Sequence, residues 1–410
     1  MLLSFVSINL FGGKLMNFKD EALRIKDELI SIRRRLHQYP EIGMEEYETS
    51  KYIKKFLMEE NIEYKEYAKT GVCGIIRGTK ASSNNIKTIA LRADIDGLPL
   101  QDEKSCNYSS KIKGRMHACG HDAHMTILLG AAKILNKNKH HFSGNIKLIF
   151  EPAEETIGGA RFMIEEGVLE NPKVDCISGL HVDETIECGT IMLKSGVVNA
   201  ASNAFEITIK GFGGHGAYPH ITVDPIIISS HVIIAMQTIR SREINTMNPA
   251  VITVGSIHGG TAPNVIPEEV KISGIIRTMS KEDRAFVKER IINIVNGICN
   301  SYRAKADIKI EDSYPNLYND EKTKNFFISS AEKIIGKENI LLQKYPKMGV
   351  ESFAYFANEV PSVFYFLGCA NKEKNIVHPA HSNLFDIDEE CLPIGVAIQC
   401  QMAFDYLTRN

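Results

Sequence analysis

Three strand-like runs in this chain each stop at side chains capable of chemistry, and that repetition limits the fold more than any other feature. Ile89-Ala90-Leu91 runs into Asp94 and Asp96, Lys147 to Phe150 runs into Glu151, Glu154 and Glu155, and Cys176 to Leu180 runs into His181 and Asp183. In an open α/β sheet, ligands gather outside the carboxyl ends of the strands. Three independent strands obeying that rule predict one cleft on which these groups converge. Helical patterns at 122–136 and 158–166 separate the runs, and the same alternation resumes near 314 with helix 319–335, strand Ser362 to Leu367 and a closing helix 389–407. Upstream, Ile25, Leu29, Ile32 and Leu36 predict a helix over 19–36, stopped by Tyr39-Pro40, with a second helix over 45–59. Further strands are expected at Gly71 to Gly78, Lys87 to Ala93, Asn145 to Phe150 and Val174 to Leu180. Strands alternating with helices imply a mostly parallel sheet covered on both faces.

Residues 199–311 read differently. Strand 204–210 is followed by a Gly-rich turn and a helix with Asp224 as N-cap and Pro225 at its first position. Strands at 251–257 and 269–277, a helix over 281–299 capped by Ser280, and a strand at 305–311 complete the order β-α-β-β-α-β, that of a ferredoxin-like unit. At 410 residues the chain exceeds one ordinary core. The expected organisation is a catalytic domain from 17–197 and 312–410, interrupted by an inserted domain over 198–311. Residues 1–16 are expected to be disordered or to be an over-extended start; their apolar run is too short to span a bilayer. No membrane span is expected elsewhere. Lys+Arg of 48 against Asp+Glu of 50 argues against a nucleic-acid partner. Nine cysteines without a regular framework suit reduced thiols in a cytoplasmic protein.

The segment Met116-His117-Ala118-Cys119-Gly120-His121-Asp122-Ala123-His124 concentrates metal-competent groups at the start of a helix. Thiolate with imidazole suits Zn²⁺, Co²⁺, Mn²⁺ or Ni²⁺ better than Mg²⁺ or Ca²⁺. The candidate ligands are Cys119, His121, Glu155, His181 and, from His378-Pro379-Ala380-His381, His381. Five ligands exceed one tetrahedral site, so two divalent metals are expected, with Cys119 able to bridge them. Glu154, adjacent to Glu155, can serve as general base while its neighbour binds metal, and Asp96 can orient a ligand or tune that base. Gly211-Phe212-Gly213-Gly214-His215-Gly216 lacks the Lys-Ser/Thr of a phosphate-binding loop. His215, flanked by glycines, can approach a ligand closely, and Asn264 and Arg277 offer donors to a substrate carboxylate.

Taken together, RRRLHQYPEIG (33–43), LRADIDGLP (91–99), MHACGHDAH (116–124), FEPAEE (150–155), GLHV (179–182), GGHGAYPH (213–220), TAPNVIP (261–267), IIRT (275–278) and HPAHSNLFDIDE (378–389) resemble the M20 metallopeptidase family, in its amidohydrolase branch of hippurate hydrolases and N-acyl-amino-acid deacylases. The resemblance implies a zinc-peptidase-like catalytic domain with an inserted lid that also dimerises. It assigns the metals to Cys119, His121, Glu155, His181 and His381, the base to Glu154, a second catalytic acid to Asp96, and intermediate stabilisation, supplied across a dimer, to His215. The branch usually reads Glu-Asp-Phe where this chain has Glu351-Ser352-Phe353. If the aspartate shapes the substrate pocket, specificity differs here.

The expected activity is metal-dependent hydrolysis of the amide in N-acyl amino acids or small amino-acid conjugates, by a homodimer. N-acetyl-diaminopimelate deacetylation and small-peptide carboxypeptidase activity are the alternatives. A thiol enzyme with Cys119 as nucleophile and His121 as base leaves the other histidines and Glu155 without a task. A non-catalytic metal- or amino-acid-binding protein has no need of an unliganded Glu154.

Overall fold

The computed structural model describes residues 16–81 and 86–409. The expectation for residues 1–16 therefore lies outside the described residues, apart from Met16. The helix expected over 19–36 is two helices, α1 (Phe18–Arg24) and α2 (Lys26–Gln38), broken at Ile25, whose φ of −103° and ψ of 11° leave the helical region. After α3 (Tyr47–Glu59), β1 (Glu63–Tyr67) forms an antiparallel hairpin with β2 (Gly71–Arg77). The sequence EYKEY of β1 is mostly exposed and carries no apolar alternation, which is why no strand is expected there. The chain continues through β3 (Thr88–Asp94), α4 (His121–Lys137), β4 (Asn145–Glu151), α5 (Ala160–Glu165), β5 (Cys176–Glu187) and β6 (Ile191–Leu193).

A separate antiparallel sheet follows, made of β7 (Ala201–Lys210), β8 (Ala250–His258), β9 (Glu269–Thr278) and β10 (Lys305–Ile310). Its spatial order is β8-β9-β7-β10. Helices α6 (Pro225–Thr238) and α7 (Lys281–Ser301) pack on it, with Ile207, Ile228, Val232, Ile272, Ile291 and Val295 in its own core. Both helices carry the expected caps: the Asp224 side chain accepts from the Ile226 N–H, and the Ser280 side chain from the Asp283 N–H. The chain then returns to the first sheet through α8 (Glu321–Ile335), β11 (Ile340–Leu342), α9 (Phe353–Glu359), β12 (Ser362–Ala370) and α10 (Cys391–Thr408).

The larger sheet has the order β1-β2-β4-β3-β5-β12-β6-β11. Its centre, β4-β3-β5-β12, is parallel. The flanks are not: β2 runs antiparallel to β4, and β6 antiparallel to β12. The mostly parallel sheet expected from the sequence is thus a parallel centre with antiparallel margins, because short connections turn the chain back there. Every residue of β3, β4 and β12 is buried, as strands covered on both faces require. Leu29, Ile127, Leu128 and Val396 from α2, α4 and α10 fill one face, and Met163, Phe353 and Phe356 from α5 and α9 fill the other. All nine cysteines are free. Among the described residues, no helix is long and apolar enough to cross a membrane.

Candidate metal centre

The parallel strands deliver side chains to a single edge. β3 pairs with β5 only as far as Arg92 opposite Gly179, so His181, two residues on, stands level with Asp94 at the gap where that pairing has ended. β5 itself runs on to Glu187, past the end expected at Leu180, because β12 continues to pair with it. Into the same gap comes the turn before α4. Gly120 has φ of +90°, and a Cβ there would stand 2.2 Å from Val182 Cγ2, so only glycine lets Cys119 and His121 enter side by side. The turn after β4 holds Ala153 at φ of +54°, its N–H donating to buried Glu46 at 2.8 Å. That turn presents Glu154 and Glu155.

The five expected ligands meet. Cys119 Sγ lies 3.3 Å from His181 Nε2, and Glu155 Oε1 lies 3.2 Å from His381 Nε2 and 3.8 Å from His121 Nε2. Two donor sets, Cys119 with His121 and His181, and Cys119 with Glu155 and His381, each hold their donor atoms within 4.8 Å of one another. Cys119 belongs to both. Ring orientation is fixed from behind. His121 Nδ1–H donates to the Asp96 carbonyl at 2.9 Å and His181 Nδ1–H to the Val182 carbonyl at 2.6 Å, which turns each Nε2 lone pair inward. His121 Nε2 and Glu155 Oε1 are buried without any hydrogen-bond partner. Orphaned acceptors facing each other, beside a thiol, fit divalent cations well.

Asp96 does not reach into this donor set. Its Oδ2 accepts from the Glu155 N–H at 3.0 Å and its Oδ1 lies 3.3 Å from His121 Nδ1, so it braces two ligands at once. Glu154 is buried, its Oε1 accepting from the Ser352 N–H at 3.0 Å and its carbonyl from the Tyr314 hydroxyl at 2.6 Å. Burial, and then the nearby Glu351 and Glu155 charges, hold the Glu154 carboxyl well above its ordinary value. Burial also works against the Glu155 carboxylate, but the close approach of His381 and the His121 charge outweigh it and pull that group below its ordinary value. The adjacent pair is split in proton affinity. Burial and Glu155 push the Cys119 thiol well up, the opposite of what a thiol nucleophile needs.

Two residues behind the centre, His124 and Arg92, were not singled out from the sequence. His124 accepts from the Val182 N–H at Nε2 (2.9 Å), so its Nδ1–H donates to Asp94 at 2.6 Å. Its position three residues after His121, on the same helix face, was the available signal. Arg92, fully buried, gathers Asp94, Glu151 and Glu351. Ser352 is buried in that cluster, receiving a hydrogen bond from Arg92 at 3.0 Å and contacting Glu151. It does not line the substrate-sized cavity; Glu351 does.

That cavity, of about 410 Å³, opens beside Cys119, Glu154 and His381, with Tyr314, Phe364 and Phe366 among its walls. Among the described residues, none between 200 and 313 lines it. His215, Asn264 and Arg277 therefore stand apart from the metal-competent cluster. His215 pairs with Val265, and Asn264 accepts from the Gly216 N–H at 2.8 Å, so these two are neighbours on the second sheet's side. Arg277, on β9 opposite Ser202 and Val251, has a buried NH1 without a partner.

The chain is similar to several known proteins. Thermostable carboxypeptidase 1 of Saccharolobus solfataricus is 38% identical over 393 residues, covering 95% of this chain and 98% of that protein. N-acetyl-L-cysteine deacetylase of Bacillus subtilis is 40% identical over 387 residues, covering 93% and 90%. The crystal structure of Bacillus subtilis YXEP, described as a dinuclear metal binding peptidase from the M20 family, superimposes with a TM-score of 0.79 at 33% identity, covering 94% of this chain and 99% of that one. Residues 90–405 match the profile of peptidase family M20/M25/M40, and the chain belongs to that family.

Proposed function

We propose that this protein is a metal-dependent amidohydrolase of N-acyl amino acids and related small conjugates, using two divalent cations held by Cys119, His121, Glu155, His181 and His381. One observation carries the reading: the orphaned His121 Nε2 and Glu155 Oε1 face each other beside a buried carboxyl, Glu154, that belongs to the same turn. Bound cations supply Lewis acidity to the scissile carbonyl and make water a nucleophile near neutral pH. Glu154, buried beside the donor set, takes the proton of the attacking water and delivers it to the leaving amine. Asp96 keeps His121 and Glu155 in register. Mn²⁺, Zn²⁺, Co²⁺ and Ni²⁺ all suit the donor set.

The unit over 198–311 is proposed as a lid and dimerisation domain between catalytic segments 17–197 and 312–410. Strand β8 is an unpaired edge of its sheet, and α6 leaves Ile226, Ile227 and Ile234 exposed, features that favour two-fold pairing. In that arrangement His215 supports the developing oxyanion in a neighbour's site, and Asn264 and Arg277 hold the substrate carboxylate. Nine free cysteines support a reducing, cytoplasmic setting.

The test is a panel of N-acetyl and N-aroyl amino acids, N-acetyl-diaminopimelate and short peptides, assayed with metal-loaded and metal-free protein. Loaded protein should release free amino acid, and metal-free protein should not. Equal turnover by protein shown metal-free by elemental analysis would overturn the reading.

A further inference from the structure

The RRRLHQYPEIG segment does not touch the cavity, yet it contributes a fully buried arginine and a fully buried histidine close to the proposed ligands. Arg33 on α2 is fully buried. Its Nε donates to Asp122 Oδ2 at 2.8 Å, and Asp122 immediately follows the ligand His121. Its NH2 donates to Asp386 Oδ1 at 2.7 Å, and its NH1 lies 3.4 Å from Glu389, both in the loop that carries the ligand His381. One guanidinium thus bridges two segments that are remote in sequence and that each contribute a metal donor. The ends of the bridge are secured separately. His37 Nδ1–H donates to Asp122 Oδ2 at 2.7 Å, and Lys104 donates to His37 Nε2 at 2.9 Å and to the Phe385 carbonyl at 2.8 Å. The Tyr108 hydroxyl donates to Asp386 Oδ2 at 2.6 Å, and Arg34 grips Glu389 at 2.7 Å.

We infer that Arg33 is a positioning residue for the dinuclear centre, setting the distance between the His121 turn and the His381 loop before metal arrives. The inference rests on the metal reading of the Cys119 centre. A buried ion pair is a weak source of net stability, because desolvation offsets its attraction. The planar fork of Arg33, holding carboxylates on two segments, instead provides geometry that a lysine cannot copy. His381 needs such support: its side chain is about half exposed, and its loop meets the His121 turn through one backbone hydrogen bond, from the His381 N–H to the Ala118 carbonyl at 2.8 Å.

The experiment compares wild type, Arg33→Lys and Asp386→Asn as chelator-stripped full-length proteins. Circular dichroism and thermal melting report the fold, and calorimetric titration with Mn²⁺ reports affinity and stoichiometry. Arg33→Lys keeps the charge and loses the bridge; it should weaken Mn²⁺ binding about ten- to a hundredfold, the scale for lost outer-shell support. Asp386→Asn cuts only the His381 side, and should weaken one of the two Mn²⁺ ions while the other binds as in wild type. Folded Arg33→Lys with wild-type Mn²⁺ affinities would overturn the inference. Should Arg33→Lys fail to fold, Asp386→Asn decides: selective loss at one ion upholds it, and unchanged binding, or equal loss at both with a lowered apoprotein melting point, overturns it. A wild type that binds no Mn²⁺ or other divalent ion would instead remove the metal reading on which it stands.

Discussion

The Tyr314 hydroxyl donates to the main-chain carbonyl of Glu154 at 2.6 Å. Tyr314 lies four residues beyond the end of β10, and its own carbonyl accepts from the Ser202 N–H at 2.9 Å, so the place where the chain re-enters the larger sheet's domain is tied to the proposed base. Tyr314→Phe removes that one hydrogen bond and keeps the ring. It should lower kcat about three- to tenfold, the size of a single lost hydrogen bond, with metal content unchanged. Steady-state kinetics alongside elemental analysis checks this; unaltered kcat would leave the contact without a functional part.

Glu154 and Glu155 should separate cleanly. Glu154→Gln should retain both metals and lose about two to four orders of magnitude in kcat, as expected for a lost acid–base group. Glu155→Gln should lose metal, because its Oε1 lies 3.2 Å from His381 and faces His121. Metal content and turnover measured on both variants test the division, and identical behaviour would refute it.

His215→Ala should depress turnover without changing metal content, since no donor set includes His215. Mixed with Glu154→Gln, it should regain part of the activity, because one hybrid site then contains both intact groups. Subunit exchange without complementation would place His215 in its own subunit's cleft, and an active monomer would dismiss the shared site.

Glu151 carries a pH signature. Burial pushes its carboxyl up to about 7 despite Arg92, with Glu351 adding to the shift. A folded value above the ordinary 4.5 means that the folded protein holds the proton where the unfolded chain has released it. The contribution to stability is therefore full below the ordinary value and is lost as pH rises through about 7. Glu151→Gln should flatten that decline between about pH 5 and about pH 8 in denaturant unfolding of the metal-free protein. A variant with the wild-type slope would show that Glu151 does not titrate in this window.

The five proposed ligands were legible in the sequence because each lies at or just beyond a strand with an unmistakable apolar run, or in a short motif crowded with donors. The layer behind them was not. The contacts of Arg92 with Glu151 and Glu351, and of Arg33 with Asp122 and Asp386, join residues far apart in the chain, and only the packed sheet brings them within hydrogen-bond reach. An arginine on a strand or helix otherwise reads as a surface residue. Strand β1 escaped notice because a hairpin edge of charged residues has no apolar period. Ser352 could be noted as a departure from pattern, but its place in the Arg92 cluster, away from the cavity wall, depended on seeing where α9 begins.

Strand β12 lies between β5 and β6, yet it is made long after both. During synthesis, therefore, β5 and β6 cannot complete their pairing until the second sheet, which has its own core, has been produced. The place between them fills only when residue 370 has emerged, and the His381 loop follows it. Cys119, His121, Glu155 and His181 are all synthesised before then, so a nascent chain carries four of the proposed donors without the fifth. On the proposed reading the donor set is completed only at the end of synthesis, and a truncation anywhere before β12 leaves both an unpaired sheet interior and an incomplete set of proposed donors.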